Sequence, residues 1–188
     1  IAFAKLGADV VVTGTGRDPA RYPDDEKAVG WRDIESTAEQ VRALGTRALP
    51  LVVDVSNEDQ VKSMMARTVE EFGRVDFLVN NAASGVQRPA AELEVKHWEW
   101  TFNINARAPW LCAIEASRLM TDGGSIVNLT SQGSQKVLPY YFSVGTSKGA
   151  LESMTRYLAV ELAPRRISVN AVSGGYVQTG ALDSFLYD

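Results

Sequence analysis

Residues 75–85 read Val75-Asp76-Phe77-Leu78-Val79-Asn80-Asn81-Ala82-Ala83-Ser84-Gly85. An apolar run of strand length gives way at once to amides, alanines and a glycine. A run without polar alternation fits a strand buried on both faces of a parallel sheet. Small residues at its carboxyl end leave room for a ligand to lie against the backbone, which is where open α/β sheets bind their ligands. Asn and Gly are also ordinary turn formers, so the string gains its meaning from its surroundings.

Moving outward, Val10-Val11-Val12, Ala48 to Val53, Ser125 to Leu129 and Ile167 to Val172 repeat the pattern, giving five short apolar strands with Val75 to Val79. Stretches of helix length separate them: about Asp33 to Leu44, Glu58 to Phe72, His97 to Met120 and Gly145 to Leu162. Parallel strands need such crossovers, which are right-handed and lay helices over the sheet. The alternation predicts a doubly wound, Rossmann-like α/β fold of three layers, α/β/α, with residues 1–188 as a single domain. The opening Ile1-Ala2-Phe3-Ala4-Lys5-Leu6-Gly7 reads as the last turns of a helix closed by a glycine. Segment Thr15 to Trp31, polar and rich in Pro, Gly and Asp, reads as a loop or small insertion.

Composition narrows the function classes. The chain has 188 residues, 45% of them hydrophobic, and no apolar run long enough to cross a bilayer. A net charge of -4 argues against a polyanion binder, because nucleic-acid affinity rests on clustered Lys and Arg. Neither a nucleic acid nor a membrane is therefore expected as a partner. Cys112 is the only cysteine and His97 the only histidine, so no zinc ligand set and no internal disulfide is expected. Both read as packing or surface residues. No secretory signal pattern is visible, and the cytoplasm is the default expectation.

Further along, Asp54-Val55 follows a strand, Asn103-Ile104-Asn105 lies in a helix, Ser131 follows another strand, and Ser147-Lys148-Gly149-Ala150 opens a later helix. This ordered set resembles the short-chain dehydrogenase/reductase superfamily over nearly the whole chain. The resemblance implies that Asp54 and Val55 meet the adenine of NAD(P), that Asn81 and Ala82 line the adenosine and ribose path, and that Lys148 bonds the nicotinamide ribose. Ser173-Gly174-Gly175 through Thr179 is similar to the stretch that closes over the nicotinamide. The family's Gly-rich phosphate turn, which precedes a helix like the one ending at Gly7, is not in this sequence, and the domain is expected to be incomplete at both ends.

Ordinary members place a tyrosine four residues before the active-site lysine, where this chain has Val144. Tyr141 stands seven residues before Lys148, nearly two helical turns, and so can still reach the lysine's face. The Tyr-x6-Lys spacing is the one enoyl-acyl-carrier-protein reductases use; Tyr140 and Tyr141 can also be read as aromatic packing in a loop. Asn80 to Val86, His97 to Trp100, Val144-Gly145 before Ser147-Lys148, Tyr157 to Leu162, and Asn170 to Gly175 together resemble the bacterial NADPH-dependent enoyl-acyl-carrier-protein reductase III type.

NAD-preferring Rossmann proteins carry an acid at the end of the second strand to bond the ribose 2'-hydroxyl. Here that strand ends Thr13-Gly14-Thr15-Gly16-Arg17, with no acid. Arg17, helped by Arg21, Lys27 and Arg32, could pair with a 2'-phosphate, which favours NADPH over NADH. The competing reading is a solvated loop whose cations are offset by Asp18, Asp24, Asp25 and Glu26.

The expected chemistry is hydride transfer to the β-carbon of an α,β-unsaturated thioester, carried by acyl carrier protein or coenzyme A as in fatty acid biosynthesis. Tyr141 would donate to the thioester oxygen, Lys148 would position the cofactor, Ser131 would assist orientation and Asn105 would support a polar chain behind Lys148. Ser131 as a strand-end hydroxyl and Asn105 as a helix-bending amide remain open alternatives. Phe142, Tyr176 and Leu182 are candidates for an acyl pocket and equally for core or lid. The long helices imply a homo-oligomer by resemblance. Two other readings stand beside this one: a short-chain reductase of another activated alkene or ketone in secondary metabolism, and a catalytically inactive NAD(P)-binding regulatory protein.

Overall fold

The computed structural model describes residues 1–21 and 24–175. All five expected strands form, and every pairing among them is parallel. The chain divides into two compact units, Ile1–Val75 and Asp76–Asp188.

In the first unit the short helix α1 (Ala2–Lys5) precedes Gly7, whose φ is 89°, a backbone state open to glycine. Strand β1 (Val10–Gly14) pairs with β2 (Ala48–Val52), from Val10 opposite Ala48 to Gly14 opposite Val52. Segment 15–31 is more than a loop: it holds a 3-10 turn at Pro19–Arg21 and the helix α2 (Asp24–Ala28). Helix α3 (Ile34–Arg42) buries Ile34, Ala38 and Val41, spaced for one apolar stripe.

Helix α4 (Glu58–Phe72) has the bounds the sequence predicts because both ends are signalled. The Asn57 side chain accepts from the Gln60 amide at 3.1 Å, and Gly73 closes the helix at φ 78°. Arg47 fastens this end of the unit: it pairs with Asp9 at 2.6 Å, donates to the Glu71 carbonyl at 3.0 Å and lies 4.7 Å from the centre of the Phe72 ring.

The second unit contains, in order, β3 (Phe77–Asn80), α5 (Val95–Phe102), α6 (Ala108–Leu119), β4 (Gly124–Thr130), α7 (Phe142–Leu162) and β5 (Ile167–Ser173). The strands lie in the order β3-β4-β5. Central Ile126 is fully buried, and Leu151, Leu158, Ile167 and Val169 complete the apolar core around it.

The single long helix expected from His97 to Met120 is interrupted, because a π-helical turn at Asn103–Arg107 separates α5 from α6. Pro109 explains the interruption. It has no N–H to donate to the carbonyl of Asn105, four residues back, and its ring crowds that carbonyl, so the backbone widens there. The widened turn buries Asn105 completely. Helix α7 starts at Phe142, three residues before the expected Gly145.

Candidate active site

Helix α7 meets strand β4 through three polar contacts on successive strand residues. Asn128 Nδ2 donates to Thr155 Oγ1 at 2.9 Å, Lys148 Nζ donates to the Leu129 carbonyl at 2.7 Å, and Thr130 Oγ1 donates to Glu152 at 2.9 Å. Lys148, Glu152 and Thr155 lie at helical spacing, so one face of α7 carries all three. Asn80 extends the ladder to β3, with its Nδ2 donating to Asn128 Oδ1 at 2.8 Å.

Lys148 is 5% exposed, and burial pulls its ammonium down to about 8, since a low-dielectric surrounding penalises the charged form. An ammonium has three donors. The bond to Leu129 therefore leaves donor capacity for a ligand.

Asn105 is a clamp. Its Oδ1 accepts from the Ser84 amide at 2.9 Å, and its Nδ2 lies 2.8 Å from the Ser84 carbonyl and 3.0 Å from Ser147 Oγ. It thereby ties the loop after β3 to the residue preceding Lys148. A polar chain behind the lysine is what the sequence suggests; direct bonds to Ser84 and Ser147 are what the fold provides.

Ser131 ends β4 and leads into a 3-10 turn at Gln132–Ser134. Its Oγ is buried and lacks a hydrogen-bond partner among the described residues. A buried hydroxyl left unpaired costs about 1–3 kcal/mol, and such an atom is suited to meeting a bound molecule.

Tyr141 sits at the N-cap of α7, and its ring lies on the backbone of that turn. A Cβ placed on Gly133 would come within 2.5 Å of the ring's Cδ1 and 2.6 Å of its Cε1. Only glycine at 133 leaves this space. The structure thus brings Tyr141 to the turn that carries Ser131, on the helix that carries Lys148.

Position 144, where ordinary short-chain dehydrogenases place their tyrosine, is closed. Val144 is 7% exposed, and a Cβ on Gly85 would lie 2.2 Å from its Cγ2. The loop after β3 is also latched to the start of α7, because Ser143 Oγ donates to the Val86 carbonyl at 3.2 Å and the Arg88 amide donates to the Tyr140 carbonyl at 3.0 Å. Next to Tyr141, Phe142 meets Trp98 at 5.8 Å between ring centres, and Trp98 stacks on Phe102 at 4.1 Å.

Asn81 and Ala82 follow β3 and are exposed, and Gly175 follows β5 with φ 70°. Thr179, Tyr176 and Leu182 lie outside the described residues, as does the Arg21 side chain.

In the first unit, Arg17 already has carboxylate partners: Glu26 at 3.0 Å and Asp33 at 3.5 Å. Arg32 pairs with Glu39, and Lys27 lies 3.7 Å from Asp24. Asp54 Oδ1 accepts from the amide and hydroxyl of Ser56 at 2.9 and 2.7 Å, which shapes the turn into α4 with Val55 inside it.

Cys112 is buried, and desolvation pushes its thiol up to about 11, so it is an unreactive core residue. His97 caps α5 by accepting from the Glu94 amide at 3.2 Å. Among the described residues no cluster of His, Cys, Asp and Glu could hold a metal ion, and no helix is long and apolar enough to cross a membrane.

Sequence reasoning missed Glu152 and Gly133, and it quoted Ser147 and Gly85 within longer strings without the partners they meet. Glu152 carried a usable signal, since it stands four residues after Lys148 in a helix. Gly133 carried none, because the Tyr141 ring it makes room for comes from another element.

Residues 1–187 match the family described as enoyl-(acyl carrier protein) reductase. Over 151 residues, or 80% of this chain, the sequence is 35% identical to a 1-cyclohexenylcarbonyl-CoA reductase of Streptomyces collinus, covering 54% of that protein. It is 34% identical over 91% of its length to a (2S)-[(R)-hydroxy(phenyl)methyl]succinyl-CoA dehydrogenase subunit of Thauera aromatica, covering 72% of it. Among solved structures, carveol dehydrogenase from Mycobacterium avium in complex with NAD matches with a TM-score of 0.81 at 29% identity, over 91% of this chain and 62% of that one. This likeness carries the doubly wound α/β fold expected from the alternation of strand and helix. The chain spans 54% and 66% of the length of the first two relatives it matches.

Proposed function

Because this chain belongs to the enoyl-(acyl carrier protein) reductase family of short-chain dehydrogenases/reductases, we propose that it serves an NADPH-dependent reduction of the carbon–carbon double bond of an enoyl thioester. One observation carries the reading: position 144 is filled by a buried valine packed on Gly85, while the tyrosine that faces the Ser131 turn is Tyr141.

The residues present fit a nicotinamide nucleotide. Ser131 Oγ is buried and unpaired among the described residues, Lys148 keeps donor capacity beyond Leu129, and the end of β3 offers the small residue Ala82. Lys148, Asn81, Ala82 and Gly175 would hold it, while Thr179 on the nicotinamide side and Asp54, Val55 and Arg17 on the adenine side are assigned by family resemblance alone. When bound, the cofactor supplies the hydride that adds to the β-carbon.

The chain's own side chains do the rest. Tyr141 donates to the thioester oxygen on which negative charge develops, and losing such a donor costs on the order of a hundredfold in rate. Lys148, as a cation in a dry setting, makes the surrounding field positive. Ser131 orients the substrate. Asn105 holds the Ser84 loop and Ser147 in place.

The carrier is coenzyme A or acyl carrier protein. Two of the relatives quoted above, from Streptomyces collinus and Thauera aromatica, are named for CoA compounds, which supports the thioester. They include both a reductase and a dehydrogenase, so a ketone or alcohol substrate is the second reading. Exposed Trp110, Tyr157 and Val160 on α6 and α7 support a homo-oligomer, which the mass in solution tests.

NADPH oxidation by the full chain with a crotonyl thioester, beside ketone substrates, tests the reading. Faster turnover of the thioester is expected. Preference for ketones would replace the alkene chemistry, and tight NADPH binding without turnover of either would favour the regulatory alternative.

A further inference from the structure

Glu152 lies one helical turn beyond Lys148 and takes no part in the chemistry assigned above. Its carboxylate nevertheless collects donors from both sides of Ser131. Thr130 Oγ1 donates to Oε1 at 2.9 Å, and Gln135 Nε2 reaches Oε2 at 3.4 Å. Ser134 Oγ lies 2.5 Å from Oε1 and 2.8 Å from the Ser131 carbonyl, so one hydroxyl proton serves the carboxylate and the backbone of the serine itself.

The bonded residues, 130, 134 and 135, bracket the single residue whose buried hydroxyl has no partner among the described residues. An unpaired hydroxyl does not hold its own backbone in position; something else must. Without Glu152, the 3-10 turn would keep only its local bonds, from the Ser134, Gln135 and Lys136 amides and the Ser134 hydroxyl, and would lose the bonds that tie it to Glu152 on α7. The same helix also fixes Lys148 on Leu129, so a single rigid element sets both the lysine and the turn.

We propose that Glu152 is a positioning residue that locks the Thr130–Gln135 turn and thereby aims Ser131 Oγ at the bound substrate or cofactor. The role rests on the proposed reductase reading for its consequence in turnover, but not for its consequence in the turn. Glu152 acts through Ser131 and touches neither reactant.

Two arms on the full chain test it. In the first, amide hydrogen exchange is followed at residues 132–136. Glu152→Ala should speed exchange there by about tenfold while leaving α4 unchanged, and Glu152→Gln, which keeps an acceptor oxygen for Thr130 and Ser134, should stay near the parent. Unchanged protection in Glu152→Ala would overturn the lock.

The second arm is a cycle with Ser131→Ala, reading kcat for the crotonyl thioester. Glu152→Ala alone should lower kcat by about tenfold, yet by no more than about twofold when Ser131 is already alanine. Equal losses in both backgrounds would overturn action through Ser131. Thr130→Val removes one of the donors without touching α7 and should give the same pattern more weakly, which keeps the test usable if Glu152→Ala folds poorly. A parent with no thioester turnover would mean that the reductase reading has failed, and the exchange arm would still decide the lock.

Discussion

The carboxyl ends of β4 and β1 both carry the polar residues expected to face ligands, but they are built differently. At β4, Lys148, Asn128 and Thr155 are buried and hydrogen-bonded to protein groups, and the Ser131 hydroxyl is buried near them in sequence. Beyond β1, Arg17 and its partners form ion pairs with the Arg17 side chain 40% exposed. Buried bonds cannot be exchanged without leaving a group unpaired, which costs about 1–3 kcal/mol. Exposed pairs are worth about 0–1 kcal/mol and re-form readily around a new anion. The first end can fix chemistry, whereas the second can only bias a choice.

Substitutions can break this contrast. Lys148→Met should have the largest effect, a loss of about a thousandfold in turnover, because a cationic donor in a dry site has no substitute. A loss similar to that from Arg17→Ala would erase the distinction between the two ends.

Gly133→Ala comes next. The added methyl would sit 2.5 Å from the Tyr141 ring, and the ring must move. Displacing a reacting group by about an ångström can cost about a hundredfold, so turnover should fall while NADPH affinity holds. Fluorescence titration of NADPH separates the two quantities.

The lowered lysine gives a pH prediction with two opposite limbs. In the folded protein Lys148 loses its proton near about 8, against 10.5 as the ordinary value. kcat/KM should therefore fall as pH rises above about 8, by up to about tenfold per unit. Between about 8 and 10.5 the unfolded chain binds the proton and the folded one does not, so this group makes stability rise with pH over the same window. Denaturant titrations of the parent and of Lys148→Met should differ in that slope.

Arg17→Ala should have the smallest effect, raising KM for NADPH about threefold relative to NADH, since its charge is already shared with two carboxylates. An unchanged ratio would remove Arg17 from cofactor choice.

Much of the fold was legible because its signals are local. Helix α4 was readable end to end as a helix-length stretch between two apolar runs, and the five strands from those runs alone. The π-turn was missed although its cause, Pro109, was visible, because a proline four residues after a buried amide was read simply as helix. The early start of α7 at Phe142 was hidden because Tyr141 provides no side-chain cap.

At the candidate site, Lys148, Tyr141, Ser131 and Asn105 were singled out through spacing and resemblance. What they bond was not legible: Asn105 meets Ser84, 21 residues away, and Ser147, 42 residues away. Of the two acids that pair with Arg17, Glu26 was noted in the sequence and Asp33 was not, because Asp33 lies outside segment 15–31 and reaches Arg17 only through the fold.

The central claim is that Tyr141, and not the residue at position 144, gives the hydrogen bond that stabilises the developing charge. The direct measurement is NADPH oxidation with a crotonyl thioester by the full chain and by Tyr141→Phe. A fall of at least about tenfold in kcat, with NADPH affinity retained, is the result this account predicts. Undiminished turnover in Tyr141→Phe would contradict it.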